Sequence, residues 1–346
     1  MSDQPNTFST APHKAHGREG EMPRLRRPVM RAKGKGITGK SAPQARRILS
    51  PKAVASLSPK PEVRKSLFFK KAIPPQKKAT GEEFISHRYS LLQVINEGEV
   101  GTVFRAFDTM LKMDVAIKML KPEIARDPEA MAQIKSEAAV AMKLSHENIV
   151  RLHNIETENG RVFIVMEYVE GQNLRMIGEQ MGPLALPAVL DIAMACAEAL
   201  TYAHGRGVLH RDIKPENLMI DSALSLKLLD FGIAIKLSRG HDKSEYLEGS
   251  PGYMSPEQLH GHPLDARTDV FSLAVVICEL MTGVRTFPQV ETLKHMYDSD
   301  PCGMETIPAP LAEVLARGMA LDPKQRWNSV ADFYAAFLNA MRPLLH

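Results

Sequence analysis

The stretch VLHRDIKPENLMI, residues 208–220, decides how the chain is read. Six polar or charged residues (His210, Arg211, Asp212, Lys214, Glu216 and Asn217) crowd between two apolar, strand-like ends. A solvated surface loop has no reason to keep such a set. Asp212 can accept a proton from a hydroxyl nucleophile. Asn217, five positions on, can ligate a metal through its amide oxygen, and Lys214 can meet a transferring phosphoryl group. Eighteen residues after Asp212 comes Asp230-Phe231-Gly232, closing the apolar run LKLLD at 226–230. An aspartate at a strand end, followed by glycine, is well placed to hold Mg²⁺.

Two charges lie upstream on apolar ground. Lys118 sits in VAIKML with apolar residues on both sides, and a buried ammonium needs an anion, either a carboxylate or a phosphate. Asp127-Pro128-Glu129 opens a helix running to about Leu144, with Asp127 as N-cap and Pro128 at the first helical position. Its inward stripe comprises Ile134, Ala138, Ala141 and Met142, and Glu137 falls on that stripe. Lys118 and Glu137 can therefore pair. The plainer alternative is a lysine snorkelling from a sheet edge and a glutamate on the rim of its helix. The run NEGEVGTVF, residues 96–104, places Gly98 and Gly101 between apolar strands. Alone, it reads as a turn or as a hairpin able to fold over phosphates.

In order along the chain stand VAIK (115–118), HRDIKPEN (210–217), DFG (230–232) and SPE (255–257). Together they resemble the motifs of the eukaryotic-type protein kinases over about residues 88–342. KPEN and GSPGYMSPEQ (249–258) are most similar to the Ser/Thr-specific branch, in the style of soluble bacterial members. The resemblance implies an α+β, bilobal kinase fold. A small β-rich N-lobe with one key helix (88–166) would sit on a larger helical C-lobe (171–343), with ATP in the cleft. It implies that Lys118 holds the α- and β-phosphates while pairing with Glu137, that Asp230 and Asn217 bind Mg²⁺, that Asp212 is the catalytic base and that Lys214 offsets charge on the γ-phosphoryl. Met166 becomes the gatekeeper, the Glu167 carbonyl and Val169 amide the hinge, and Val103, Ala116 and Met219 the walls around adenine. Asn96, Gly98 and Gly101 become the phosphate-covering loop. Asn96 departs from the family's glycine, but asparagine tolerates φ > 0 better than most residues, so the turn is expected to survive. Ala274, in DVFSLAVV, is a second departure, expected to adjust helix packing only. Glu257 and Arg326 match the family's buried ion pair, and Asp269 matches the carboxylate bracing the catalytic loop. Arg211 matches the arginine that pairs with a phosphorylated activation-segment residue. Among Ser238, Ser244 and Tyr246, Ser244 is the favoured phosphosite.

The rest of the chain bounds this reading. The net charge of +4 hides a division: residues 1–80 carry 19 Lys/Arg against 4 Asp/Glu, and the remainder 25 against 36. The first segment is rich in Pro, Ser and Ala and lacks hydrophobic periodicity, so it reads as a disordered basic tail before an acidic body that starts near Phe84. Three cysteines at wide spacing give no disulfide framework or zinc site, which suits a reducing, cytoplasmic setting. The apolar run VFSLAVVICELM (270–281) is too short to span a bilayer and contains Glu279. Expected helices cover 187–204, 268–282, 308–320 and 328–342, and five strands fall between 89 and 169. The implied activity is ATP- and Mg²⁺-dependent phosphorylation of Ser/Thr hydroxyls on protein substrates, with autophosphorylation, in a signalling role. Tail serines behind basic residues, Ser50 and Ser66, are candidate sites. The alternatives are a pseudokinase, disfavoured by the presence of Lys118, Asp212 and Asp230, and a kinase whose basic tail binds nucleic acid or another polyanion.

Overall fold

Alternation along one strand explains the N-terminal half. In the computed structural model, which describes residues 78–98, 100–231, 251–287 and 300–345, β4 (Met113–Leu120) runs through the middle of a six-stranded antiparallel sheet. The sheet order is β1-β2-β3-β4-β6-β5, with β1 Lys78–Ile85, β2 Tyr89–Glu97, β3 Gly101–Asp108, β5 Leu152–Glu158 and β6 Arg161–Glu167. Side chains on a strand alternate between faces. Val115 and Ile117 accordingly join Ile85, Tyr89, Leu91, Phe163 and Val165 in a core on one face. Ala116 and Leu120 join Leu152, Ile164 and Met166 on the other. Lys118 shares the parity of that second face, which a helix covers.

The covering helix is α2, Pro128–Ala141, which follows the single turn α1 (Pro122–Ala125). Its start is as expected: the Asp127 carboxylate accepts from the amides of Glu129 and Ala130, satisfying two orphan donors. Ile134, Ala138 and Ala141 are buried against the sheet, whereas Met142, expected on the same stripe, is exposed. Met142 is already the C-cap of the helix. A further strand, β1, begins inside the segment assigned to the tail, and it pairs antiparallel with β2. The tail reading otherwise falls on residues outside those described, as do Ser238, Ser244 and Tyr246.

After β6 the chain turns helical. The short strands β7 (Gly171–Asn173), β8 (Leu218–Asp221) and β9 (Leu226–Leu228) form a small sheet. Around them lie α3 (Leu174–Met181), α4 (Leu186–His204), α5 (Pro256–Leu259), α6 (Ala266–Thr282), α7 (Ala309–Gly318) and α8 (Val330–Met341). α6 is buried continuously from Thr268 to Leu280, as expected of a helix at the centre of a core. Ala274 lies on it, fully buried, with its methyl against Gly318 of α7, where an added Cβ would come within 2.7 Å. The alanine is accommodated because the facing helix has no side chain at the crossing. Among the described residues α4 is long and apolar enough to cross a membrane. Here its Ile192, Cys196, Ala199 and Leu200 are buried in the same cluster as α6 and α8. α3 was not expected from the sequence. Its cap is Asn173, whose Oδ1 accepts from the Met176 amide at 2.9 Å.

Candidate active site

The loop that opened the sequence reading is braced from beneath. Asp269, wholly buried on α6, accepts the His210 amide at 2.8 Å and the Arg211 amide at 2.9 Å, and it meets His204 Nε2 at 2.7 Å. Burial pushes the Asp269 carboxyl up, but these donors and the neighbouring histidines outweigh it and hold the group below the usual aspartate range. The Arg211 carbonyl accepts Gln258 Nε2 at 2.7 Å. With its amide and carbonyl both held, Arg211 stays in the left-handed region at φ 68°. The expected bracing role of Asp269 is thus seen directly.

Within the loop, Asp212 Oδ2 accepts from Lys214 Nζ at 2.9 Å and from Asn217 Nδ2 at 2.8 Å. The same Nδ2 donates to the Asp212 carbonyl at 2.8 Å, which turns the Asn217 amide oxygen away from Asp212. The Asn217 carbonyl accepts the Leu229 amide at 2.9 Å and so ties the loop to the segment carrying Asp230. Asp230 itself has φ 55°, in the left-handed region. Burial raises its carboxyl, but Lys118, then His210 and Lys214, bring it below the usual value. His210 is completely buried and packs tilted against Phe231 with ring centroids 4.5 Å apart; burial depresses its basicity, and its Nε2 has no partner.

The pairing expected between Lys118 and Glu137 is not formed. Lys118 Nζ donates instead to Asp230 Oδ2 at 2.9 Å. Glu137 Oε1 takes Gln133 Nε2 at 3.1 Å and Arg211 NH1 at 3.4 Å, while its Oε2 is buried without a partner. The physical reason is position: α2 carries Glu137 over the catalytic loop, and the left-handed turn at Asp230 aims its carboxylate at β4. A largely buried ammonium takes the carboxylate within reach. Burial keeps the Glu137 carboxyl above its usual range, against the pull of Gln133 and Arg211.

Three of the apolar residues expected to surround a base, Val103, Ala116 and Met166, fall together. Ala116 and Met166 are cross-strand partners, and Val103 pairs with Lys118. All three apolar residues pack in one cluster. Val169 is buried just beyond β6, and Met219 lies on β8 opposite Asn173. The Glu167 side chain is engaged by Lys227 Nζ at 2.6 Å and by the Arg151 amide at 3.1 Å. A small cavity lies behind Met166, lined by Ala141, Leu152, Asp230 and Phe231 among others.

The glycine hairpin differs from its expected form at Asn96. This residue lies inside β2, paired with Val103 across a register shift, and it is not among the residues with positive φ. Its tolerance of left-handed backbone is therefore not called on. The glycines divide by role. At Gly101 an added Cβ would fall 2.0 Å from the Met119 carbonyl oxygen, so the sheet itself demands glycine there. At Gly98 the nearest atom would be the Gly101 carbonyl at 3.6 Å, ordinary contact, so nothing among the described residues demands it.

Sequence reasoning missed a buried network below the loop. Arg175 of α3 donates through Nε to Glu216 Oε1 at 2.8 Å and also binds Glu279 and the Tyr253 hydroxyl. Tyr253 in turn donates to Glu279 Oε2 at 2.5 Å. Glu279, inside the most apolar run of the chain, was the signal available: a carboxylate there requires a cation.

Comparison with known proteins agrees with this geometry. Residues 89–337 match the protein kinase domain family. The chain is 35% identical over 261 residues to the serine/threonine-protein kinase PrkC of Bacillus subtilis, covering 72% of this chain and 40% of that protein. It is 34% identical over 271 residues to PknB of Mycolicibacterium smegmatis, covering 74% of this chain and 43% of the relative. The chain thus spans less than half the length of these curated relatives. The crystal structure of the Mycobacterium tuberculosis PknI kinase domain superposes with a TM-score of 0.63 at 28% identity, covering 76% of this chain and all of that one. With the lysine, the two aspartates and the asparagine all present in a fold of this kind, the chain belongs to the protein kinase domain family.

Proposed function

We propose that the chain transfers the γ-phosphoryl group of ATP to serine and threonine hydroxyls of proteins, itself included. The observation that carries this is the arrangement of Asp212, Lys214 and Asn217 on a loop fixed by Asp269, beside Asp230. Asp212 is the base: its carboxylate is held by Lys214 and Asn217, which orients it toward an incoming hydroxyl and leaves it acceptor capacity. Lys214, already within 2.9 Å of that carboxylate, offsets charge on the group in transfer. Lys118 binds the nucleotide phosphates. Val103, Ala116, Met166 and Met219 enclose the base, with the Glu167 carbonyl and Val169 amide as hinge contacts. Gly98, crowded by nothing among the described residues, lets the backbone of the 96–101 hairpin approach phosphate.

The donors present suit Mg²⁺. The Asp230 carboxylate and the Asn217 amide oxygen are hard oxygen ligands, and they lie on segments joined by a hydrogen bond. Among the described residues no group of three or more His, Cys, Asp or Glu could hold a metal alone. The ion would be shared between one carboxylate, one amide and substrate phosphates, and it would supply charge neutralisation there. The relatives named as serine/threonine kinases support hydroxyl rather than phenol acceptors. Three free cysteines, two of them buried, accord with a cytoplasmic setting. The basic tail is assigned no role beyond weak binding of polyanions.

The test is direct. Purified chain is incubated with Mg²⁺ and γ-labelled ATP, with and without a generic protein acceptor, and the sites are mapped by mass spectrometry. Label on serine or threonine, lost when Mg²⁺ is chelated, is expected. Nucleotide binding without any transfer would refute the assignment.

A further inference from the structure

One row of residues crosses the sheet on the face that carries the site. Arg105 on β3 pairs with Ala116 on β4, and Ala116 pairs with Met166 on β6. Cross-strand partners share a face, so the Arg105 side chain leaves the sheet beside the small alanine that walls the base site. Val115 pairs with Glu167, so Asp114 and Tyr168 stand one step further along the same ladder, and Tyr168 packs against the cluster of Ala116 and Met166. Three side chains meet there. Arg105 donates to Asp114 Oδ2 through Nε at 3.1 Å and through NH2 at 2.6 Å. Its guanidinium carbon lies 5.0 Å from the centre of the Tyr168 ring, within cation–π range. With side chains 36% and 30% exposed, the Arg105–Asp114 pair adds little to stability, so its consequence lies in where it holds the guanidinium.

Tyr168 is the pivot of the hinge. The Glu167 carbonyl belongs to the peptide before its Cα, and the Val169 amide belongs to the peptide after it. The φ and ψ of Tyr168 therefore set the angle between the two groups assigned to the base. Residues 168–170 lie in no strand or helix, so no ladder fixes that angle. The residues on either side are tied down. Lys227 holds the Glu167 side chain at 2.6 Å, and the Ser222 amide donates to the Glu170 carbonyl at 3.1 Å. Both ties come from the larger lobe, and Arg105 holds the ring between them from the smaller one. We propose that Arg105 is a positioning residue for base recognition: braced by Asp114, it clamps the Tyr168 ring and so aligns the two peptide groups that read adenine. The inference rests on the reading of the site as an ATP site, which gives the hinge a base to meet.

The experiment compares two bases on one set of phosphates. Full-length chain is titrated in Mg²⁺ by calorimetry with adenosine β,γ-imidotriphosphate and with guanosine β,γ-imidotriphosphate. The unsubstituted chain is expected to prefer the adenosine analogue. Arg105→Gln should weaken the adenosine analogue about two- to fivefold, the size of one cation–π contact at a partly exposed site, and the guanosine analogue by less than about twofold. Arg105→Lys keeps a cation over the ring and should retain most of the affinity. Tyr168→Leu removes the ring, should match Arg105→Gln, and should add nothing when the two are combined. It serves alone if Arg105→Gln does not fold. In transfer assays the same loss should appear in KM, with kcat held within about twofold. An equal loss for both nucleotides marks a merely structural arginine and overturns the inference, as does parental affinity in Arg105→Gln or an additive loss in the double variant. Adenosine preference that the substitutions leave unchanged overturns it too, with the functional reading still standing. Absence of nucleotide binding by the unsubstituted chain removes both.

Discussion

Two arginine–glutamate pairs in this molecule are built to opposite specifications. Arg326 is wholly buried and uses all five of its N–H donors. NH1 and NH2 meet Glu257 at 2.6 and 2.8 Å, and the rest go to the carbonyls of Ala320, Leu321 and Arg267. Glu257 takes a further bond from Thr268 at 2.8 Å. Arg211 and Glu137 share one contact at 3.4 Å and leave one atom each unpaired. The first pair joins α5, α6 and the segment before α8 within one lobe. The second joins a helix of the N-lobe to a loop of the C-lobe. A pair that saturates its donors fixes structure, and one that leaves them short contributes little to stability.

The largest expected effect tests that difference in stability. Arg326→Leu leaves Glu257 buried and uncompensated and should cost about 3–5 kcal/mol in unfolding free energy, read from denaturant curves. Arg211→Gln should cost less than about 1 kcal/mol in the same measurement. Comparable losses from the two variants would erase the distinction.

A smaller effect separates the pairs by pH. The Glu257 carboxyl is raised by burial but pulled net below its usual value by Arg326, so its contribution is full above about pH 4.3 and fades as pH falls toward its folded-state pKa. Glu137 is displaced upward, chiefly by burial. Folded chain therefore binds its proton before unfolded chain does, and stability at that residue rises as pH falls from neutrality to the ordinary glutamate range. Glu257→Gln should thus be less stable than the parent at pH 7, with the deficit shrinking below about pH 4.3. Glu137→Gln should be at least as stable as the parent at pH 7, with the difference closing as pH falls toward 4.3. Deviations of the same sign in both variants would contradict the assignment of causes.

Which of these features the sequence disclosed follows from how local each one is. The Asp212 loop was legible because its partners, Lys214 and Asn217, lie within five residues of it. α2 was legible because its cap, Asp127, and its buried stripe are adjacent in the chain. β1 was not: KATGEEFI offers no alternation to separate it from a basic tail, and it is a strand only because β2 pairs with it. α3 was missed because it is eight residues long and follows a strand of three, which leaves little periodicity to read. The Lys118–Asp230 pair joins residues 112 apart, and its choice over Lys118–Glu137 depends on where α2 rests. Both carboxylates are present in the sequence, and only the packing selects between them.

The central claim is that the loop fixed by Asp269 performs proton removal during phosphoryl transfer while other groups bind the nucleotide. The measurement that tests it is a pair of readings on Asp212→Asn: the single-turnover rate of transfer to a protein hydroxyl, and the dissociation constant of Mg²⁺-nucleotide. Loss of the base should slow transfer by about 10²- to 10⁴-fold. Nucleotide affinity should stay within about twofold, because Lys118, Asp230 and the apolar walls are untouched. Near-normal transfer by Asp212→Asn, or a collapse of nucleotide binding with it, would contradict the account.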